Sequence, residues 1–133
     1  MGTIRASARQ LGKLRHDVQV RSHTITADEP REHGGEDSGP SPQELLAASL
    51  ASCTAITMEM YAERKGWEVG EITVDVEYEA AQRGSPTRFT MAVQLPKDLS
   101  EDQRERLMQI AAKCPVHRAL EGEVMFDETV ELR

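Results

Sequence analysis

The chain has 133 residues, which is the size of one domain. Because 38% of the residues are hydrophobic but only 4% are aromatic, we expect an aliphatic core, and this composition favours self-association. Its formal net charge of −7 and the lack of a basic patch argue against nucleic acid as a partner. No apolar run approaches the ~20 residues of a membrane span, and the first residues lack the apolar core of a secretory signal. We therefore expect a cytoplasmic protein that does not associate with membranes.

The amino-terminal part of the chain predicts a β-hairpin followed by a long loop. Residues 3–9 are a weak strand candidate, and residues 17–26, where valines alternate with polar residues, are a stronger one. Gly12 supplies a turn signal between them. Residues 28–41 are rich in glycine, proline and charge, which is typical of a surface loop, and loops of this length are often functional.

A long helix is predicted over residues 42–65. Ser41 is placed to be its N-cap, Glu44 to complete a capping box, and Gly66 to end it. Such a helix is roughly 36 Å long at 1.5 Å per residue, with Cys53 near its middle. Its first half carries small or apolar residues on all sides, so we expect burial there, whereas charged residues bring the second half to water.

The carboxyl-terminal half predicts a second hairpin, two helices and a last strand. Residues 71–80 and 87–95 both alternate apolar with polar side chains. A capping box at Ser100 begins one helix, and Pro115 ends it or begins a short one. Residues 123–132 alternate again and predict a final strand. The predicted order is β-β-α-β-β-α-α-β, which favours an α+β fold with antiparallel sheets.

Two cysteines are the candidate reactive groups. Cys53 lies among small uncharged residues, and a cysteine in such surroundings is more often a packing residue than a nucleophile. It is also too far from the N-terminus of its own helix for the helix dipole to lower its pKa, so a nearby arginine would have to activate it. Cys114 precedes Pro115 and is placed to be an N-cap, which stabilises a thiolate. On local physics alone Cys114 is the better nucleophile, and packing remains an equal alternative.

The histidines give a weaker signal. His117 lies one turn into the predicted short helix, where it is placed to tune a thiol or to contact a substrate, although a structural role is more common. The four histidines and two cysteines lack the spacings typical of metal ligands, so we expect neither a metal nor another cofactor.

The segments "GPSPQELLAASLASCTAITMEMYAERKGW" and "KCPVHRAL" together resemble the osmotically inducible protein C / organic hydroperoxide resistance (OsmC/Ohr) superfamily, in particular an OsmC-like subgroup with the motif CPVHR. The likeness covers nearly the whole chain. It implies a single OsmC-like domain over residues 1–133 and an intertwined homodimer with long helices at its centre.

The resemblance also implies roles for individual residues. Cys53 corresponds to the peroxidatic cysteine and Cys114 to the resolving one. Characterised members have a glutamate ten residues before the reactive cysteine, which orients an arginine, and here Gln43 occupies that position. Glu44 is adjacent but points about 100° away around the helix. We expect Arg15 to correspond to the arginine of the characterised members, with Arg9 and Arg21 as alternatives.

Two functions follow as hypotheses. The first is a thiol-dependent peroxidase that reduces organic hydroperoxides in defence against oxidative stress, with a cellular dithiol as reductant. Apolar residues on the helix, Leu46, Leu50, Ile56 and Met60, would line its pocket. The second is a catalytically weak protein of the same fold that binds a small molecule, and Gln43 is the feature in its favour.

Overall fold

The computed structural model describes residues 2–133 and has two antiparallel sheets and a long helix. The elements in chain order are β1 (Ser7–Gly12), β2 (Arg15–Val20), β3 (His23–Ala27), a 3₁₀ turn (Arg31–His33), α1 (Pro42–Lys65), β4 (Thr73–Glu79), β5 (Arg88–Gln94), α2 (Glu101–Ala111) and α3 (Pro115–Glu121). The chain forms two compact units, of which the first ends at Ala47 and the second comprises Ala48–Arg133. The predicted α+β class with antiparallel sheets and a long helix is confirmed.

The amino-terminal sheet has three strands where the sequence predicted two. β1 pairs with β2 and β2 with β3, all antiparallel. The predicted strand over residues 17–26 was wrong in its extent, because the chain reverses between Val20 and His23, which face each other across the turn. Arg21 adopts a φ of 53° there, in the left-handed region that arginine rarely adopts. The sequence did not predict this turn because it has no glycine or asparagine at that position.

The predicted loop after β3 is built around the buried carboxylate of Asp28. Asp28 accepts hydrogen bonds from the backbone N–H groups of Glu29, Glu36 and Ser38 and from the Ser38 hydroxyl at 2.6 Å. These bonds, led by that of the Ser38 hydroxyl, lower the pKa of Asp28 to about 2 against the opposing effect of burial. Gly35 is required here because a Cβ would lie 2.0 Å from the carbonyl oxygen of Glu29.

Helix α1 begins and ends where the sequence predicted. Glu44 donates its backbone N–H to the Ser41 hydroxyl, and its carboxylate accepts the N–H of Ser41 at 2.8 Å, so the capping box is complete. Gly66, at a φ of 71°, follows the last helical residue. By length and composition α1 is apolar enough to cross a membrane, but the core helices of soluble proteins meet the same criterion.

The burial of α1 differs from the prediction. The buried residues form one stripe that extends into the second half of the helix: Leu50, Thr54, Met58, Tyr61 and Ala62. By contrast, Ile56 and Met60 in the second half are more than half exposed. Met58, Tyr61 and Ala62 of this stripe lie in the core with residues of α2 and of the β4–β5 hairpin, and the uniform apolar character of the first half did not predict this burial.

The core of the second unit lies between α1, α2 and the β4–β5 hairpin. In that hairpin Val74 faces Val93, and Tyr78 faces Phe89 with the two rings stacked. The buried core comprises Met58, Tyr61, Ala62, Val69, Ile72, Leu99, Leu107, Ile110 and Ala111. The predicted second hairpin, the Ser100 capping box and the short helix after Pro115 are all confirmed.

The predicted last strand, and with it the final β of the predicted order, was wrong. Residues 123–132 form no strand, and all of them are exposed, including Phe126 at 81% and Leu132 at 94%. The segment alternates as a strand does, but a strand forms only where a neighbour accepts its backbone hydrogen bonds. No strand of the described chain pairs with it.

Candidate dithiol site

Two cysteines distant in sequence meet inside the second unit. Cys53 lies near the middle of α1 and is partly exposed, whereas Cys114 is completely buried at the junction of α2 and α3. Both thiols are free. Cys114 is near enough to Cys53 to raise the pKa of the Cys53 thiol. The structure therefore places a partly exposed thiol near a buried one.

Cys114 is held by the backbone of α3. It is the N-cap of that helix, as its position before Pro115 predicted, and its Sγ accepts the N–H of His117 at 3.2 Å. Pro115 at the first helical position has no N–H of its own and fits the turn without loss of a hydrogen bond. This local geometry fixes the direction of the Cys114 side chain.

The surroundings of Cys53 disfavour its thiolate. Burial is the largest effect and raises the pKa of the Cys53 thiol, and contact with Cys114 raises it further. Hydrogen bonds from the backbone N–H of Val116 and from the Thr57 hydroxyl act in the opposite direction without outweighing burial. Neither Val116 nor Thr57 was a candidate from the sequence, although Thr57 follows Cys53 by one helical turn.

A pocket of about 340 Å³ lies in the same unit. Leu50 contributes from α1 and His117 from α3, and the remaining lining residues are Thr87, Phe89, Met91, Leu120 and Glu121. The Nδ1 atom of His117 lies 2.8 Å from a carboxylate oxygen of Glu121. Most of this lining is apolar, so the pocket suits a small molecule with a hydrocarbon body.

The remaining candidate residues belong to the first unit. The carboxylate of Glu44 is occupied by the N–H of Ser41 in the capping box, which gives it a structural role. Gln43 is exposed on the first turn of α1, and Arg15 is exposed at the start of β2. The roles of Gln43 and Arg15 toward the thiols stay predictions.

Metal ligands do not cluster in the part of the chain that the structure describes: residues 2–133 contain no group of three or more histidine, cysteine or acidic side chains placed to hold a metal ion.

These features define an α+β protein with a long helix that carries one thiol of a pair. The sequence pattern of the OsmC-like proteins matches residues 35–129, which is more than half of the chain. The chain therefore belongs to the OsmC-like family, within the OsmC/Ohr superfamily that the resemblance indicated. The narrower subgroup with CPVHR stays a prediction.

The chain is also similar to individual proteins and solved structures. An uncharacterized protein of Haloferax volcanii is 28% identical over 97 residues, which are 71% of this chain and 74% of the relative. An OsmC-like protein from Mycoplasma pneumoniae superimposes with a TM-score of 0.76 at 19% identity, covering 91% of this chain and 89% of its own. The organic hydroperoxide resistance protein OsmC from Legionella pneumophila superimposes with a TM-score of 0.62 at 25% identity, and the match covers 92% of this chain and 91% of the Legionella chain. The predicted OsmC-like fold is thus confirmed.

Proposed function

We propose that this protein is a thiol-dependent peroxidase that reduces organic hydroperoxides in defence against oxidative stress. The observation that carries the proposal is the proximity of a partly exposed Cys53 to a buried Cys114 that is distant in sequence. The organic hydroperoxide resistance protein of Legionella pneumophila shares the fold and supports the choice of substrate.

The chemistry uses both thiols in turn. The Cys53 thiolate attacks the distal oxygen of the hydroperoxide, the O–O bond breaks, and the alkoxide takes up a proton to leave as alcohol. Cys53 is then a sulfenic acid. Cys114 attacks its sulfur, forms the disulfide and releases water. A cellular dithiol reduces the disulfide by exchange and restores both thiols.

Burial makes one further group necessary. Because the pKa of Cys53 is raised, a fixed positive charge beside the thiol is needed to supply enough thiolate at neutral pH. Arg15 is our candidate for that charge, since a guanidinium stays protonated and binds oxygen-bearing substrates as well. Gln43, in place of a glutamate, would hold this arginine only through a neutral hydrogen bond, which is weaker.

We propose that the working form is a homodimer. The carboxyl-terminal segment exposes Val124, Phe126, Val130 and Leu132 in a strand-like alternation, and a second copy would provide both backbone partners and apolar cover. Ile56 and Met60 on α1 are exposed as well. Light scattering at micromolar concentration should give twice the chain mass, and a monomer mass would contradict this part of the proposal.

The remaining aspects of the proposal concern location and partners. We place the protein in the cytoplasm, with the hydroperoxide and a dithiol reductant as its only reaction partners. It would need no metal or other cofactor for this chemistry, because sulfur is both nucleophile and redox centre. We propose no interaction with nucleic acid, in keeping with the net charge of −7.

A second candidate function is favoured by the raised pKa of Cys53. A thiol that is mostly protonated at neutral pH reacts slowly, and the apolar pocket beside His117 would then serve to bind a small molecule without chemistry.

The experiment that separates the two functions follows each thiol after one equivalent of an organic hydroperoxide. Wild type should form a Cys53–Cys114 disulfide. Cys114→Ser should consume peroxide once and accumulate a sulfenic acid at Cys53 that a dimedone-type probe traps. Cys53→Ser should consume almost none.

Other outcomes have clear meanings. If Cys53→Ser reacts normally and Cys114→Ser is inactive, the two roles are reversed, as the N-cap position of Cys114 alone would have indicated. If wild type consumes no peroxide, the peroxidase proposal fails and the binding function replaces it.

A further inference from the structure

Thr54 is a completely buried hydroxyl beside the dithiol. It follows Cys53 on α1 but points in another direction, and none of its surface is exposed. A threonine within a helix commonly turns its hydroxyl back to a carbonyl of the preceding turn. The contacts of the Thr54 Oγ1 are instead with two sulfur atoms: Cys114 Sγ at 3.7 Å and Met91 Sδ at 3.9 Å.

The two sulfur atoms differ in what they can exchange with a hydroxyl. A thioether has no proton, so Thr54 must be the donor toward Met91. A thiol can donate or accept, and a thiolate can only accept. When Cys114 is protonated, its S–H can therefore point to the Thr54 oxygen while the hydroxyl proton points to Met91. When Cys114 loses its proton, the Thr54 hydroxyl can turn and donate to the sulfur instead.

We infer that Thr54 is a positioning residue for the attack of Cys114 on Cys53: its hydroxyl turns from Met91 to Cys114 as the Cys114 thiolate forms. This inference rests on the proposed function, in which Cys114 closes the disulfide. A buried thiolate has few donors to replace water, and hydrogen bonds to a charged group are the stronger ones. Thr54 would join the His117 N–H, which already donates to the same sulfur.

Two threonines of α1, Thr54 and Thr57, lie near different cysteines. The Thr57 hydroxyl lowers the pKa of Cys53, and the Thr54 hydroxyl contacts Cys114, so the two thiols have different hydroxyl neighbours on α1. Loss of the Thr57 hydroxyl should slow the first thiol, and loss of the Thr54 hydroxyl should slow the second. A general loss of stability would slow both thiols, so slowing of only one thiol indicates the loss of a specific hydroxyl.

The test uses an aromatic disulfide, 5,5′-dithiobis(2-nitrobenzoate), in place of a peroxide. The Cys53 thiolate attacks the probe, forms a mixed disulfide and releases one coloured thiolate. Cys114 then loses its proton to solvent, attacks the Cys53 sulfur and displaces a second coloured thiolate as the protein disulfide closes. The first rate is proportional to the probe concentration, and the second is independent of it, so stopped-flow absorbance resolves the two.

We expect Thr54→Val, which keeps the side-chain shape, to slow the second release by about tenfold and to leave the first within about twofold of wild type. Thr54→Ser keeps the hydroxyl and should restore most of the second rate. Thr57→Val should slow the first release instead. Circular dichroism and the unfolding midpoint check that each variant folds, and Thr54→Ala replaces Thr54→Val if the latter does not.

Three results would overturn the inference: an unchanged second rate in the folded variant that lacks the hydroxyl, a Thr54→Ser protein as slow as Thr54→Val, or a wild type with no second release. The peroxidase proposal fails separately. A wild type that releases both coloured thiolates but consumes no hydroperoxide would contradict the proposed function and leave the role of Thr54 intact.

Discussion

Replacing Leu107 with alanine tests whether α2 is held on α1 by the core that the structure describes. Leu107 has no exposed surface and lies in the cluster with Met58 and Ile110. Truncation of a buried leucine typically lowers the free energy of unfolding by about 2–5 kcal/mol, through lost transfer energy and the cavity left behind. We expect about 3 kcal/mol here, because the cluster around Leu107 should collapse only in part into the space that the side chain leaves.

That loss corresponds to a readily measured change in the thermal midpoint. A chain of 133 residues has an unfolding entropy of about 0.28 kcal/mol per degree, so about 3 kcal/mol lowers the midpoint by roughly 10 °C. Differential scanning calorimetry at one fixed protein concentration gives both the midpoint and the enthalpy. A fixed concentration is needed because association would shift the midpoint by mass action.

Met108 provides the matched control on the same helix. It is the next residue of α2 but is 47% exposed, so Met108→Ala should lower the midpoint by no more than a few degrees. Equal losses in the two variants would refute the packing of α2 described here. A loss of less than about 3 °C for Leu107→Ala would do the same, because no fully buried leucine should be so weakly coupled to its core.

Three further changes test the first unit and the proposed site. Asp28→Asn should lower the stability of the protein at pH 7. Because the pKa of Asp28 is about 2 in the fold and higher in the unfolded chain, the loss of stability relative to wild type should shrink below about pH 4. A difference in the urea midpoint that stays constant down to about pH 2.5 would contradict the role of the carboxylate. Ser41→Ala should cost about 1 kcal/mol through loss of the cap, whereas Ser52→Ala, at an exposed position of the same helix, should cost much less in urea unfolding. Gln43→Glu should raise the rate of hydroperoxide consumption by restoring a charged partner for the arginine, and no rise in a folded variant would show that the protein uses another arrangement.

Local sequence signals were sufficient for most of the elements and for both candidate thiols. The Ser41 and Ser100 capping boxes and the stop at Gly66 could be predicted because a cap depends on residues within one turn of each other. The alternation of β4 and β5 predicted the second hairpin for the same reason, since period and turn are both local. Cys114 at the N-cap of α3 likewise follows from the proline beside it.

Only the tertiary structure decided which residues meet. The Thr54 hydroxyl reaches Cys114 across 60 positions, a contact that no period or cap encodes, because it depends on how α2 and α3 pack against α1. The same cause explains the exposed residues 123–132: their alternation is that of a strand, but pairing requires a neighbouring strand that the sequence pattern does not supply. The turn at Arg21 escaped prediction because its left-handed backbone is imposed by the β2–β3 pairing rather than by a residue that favours it.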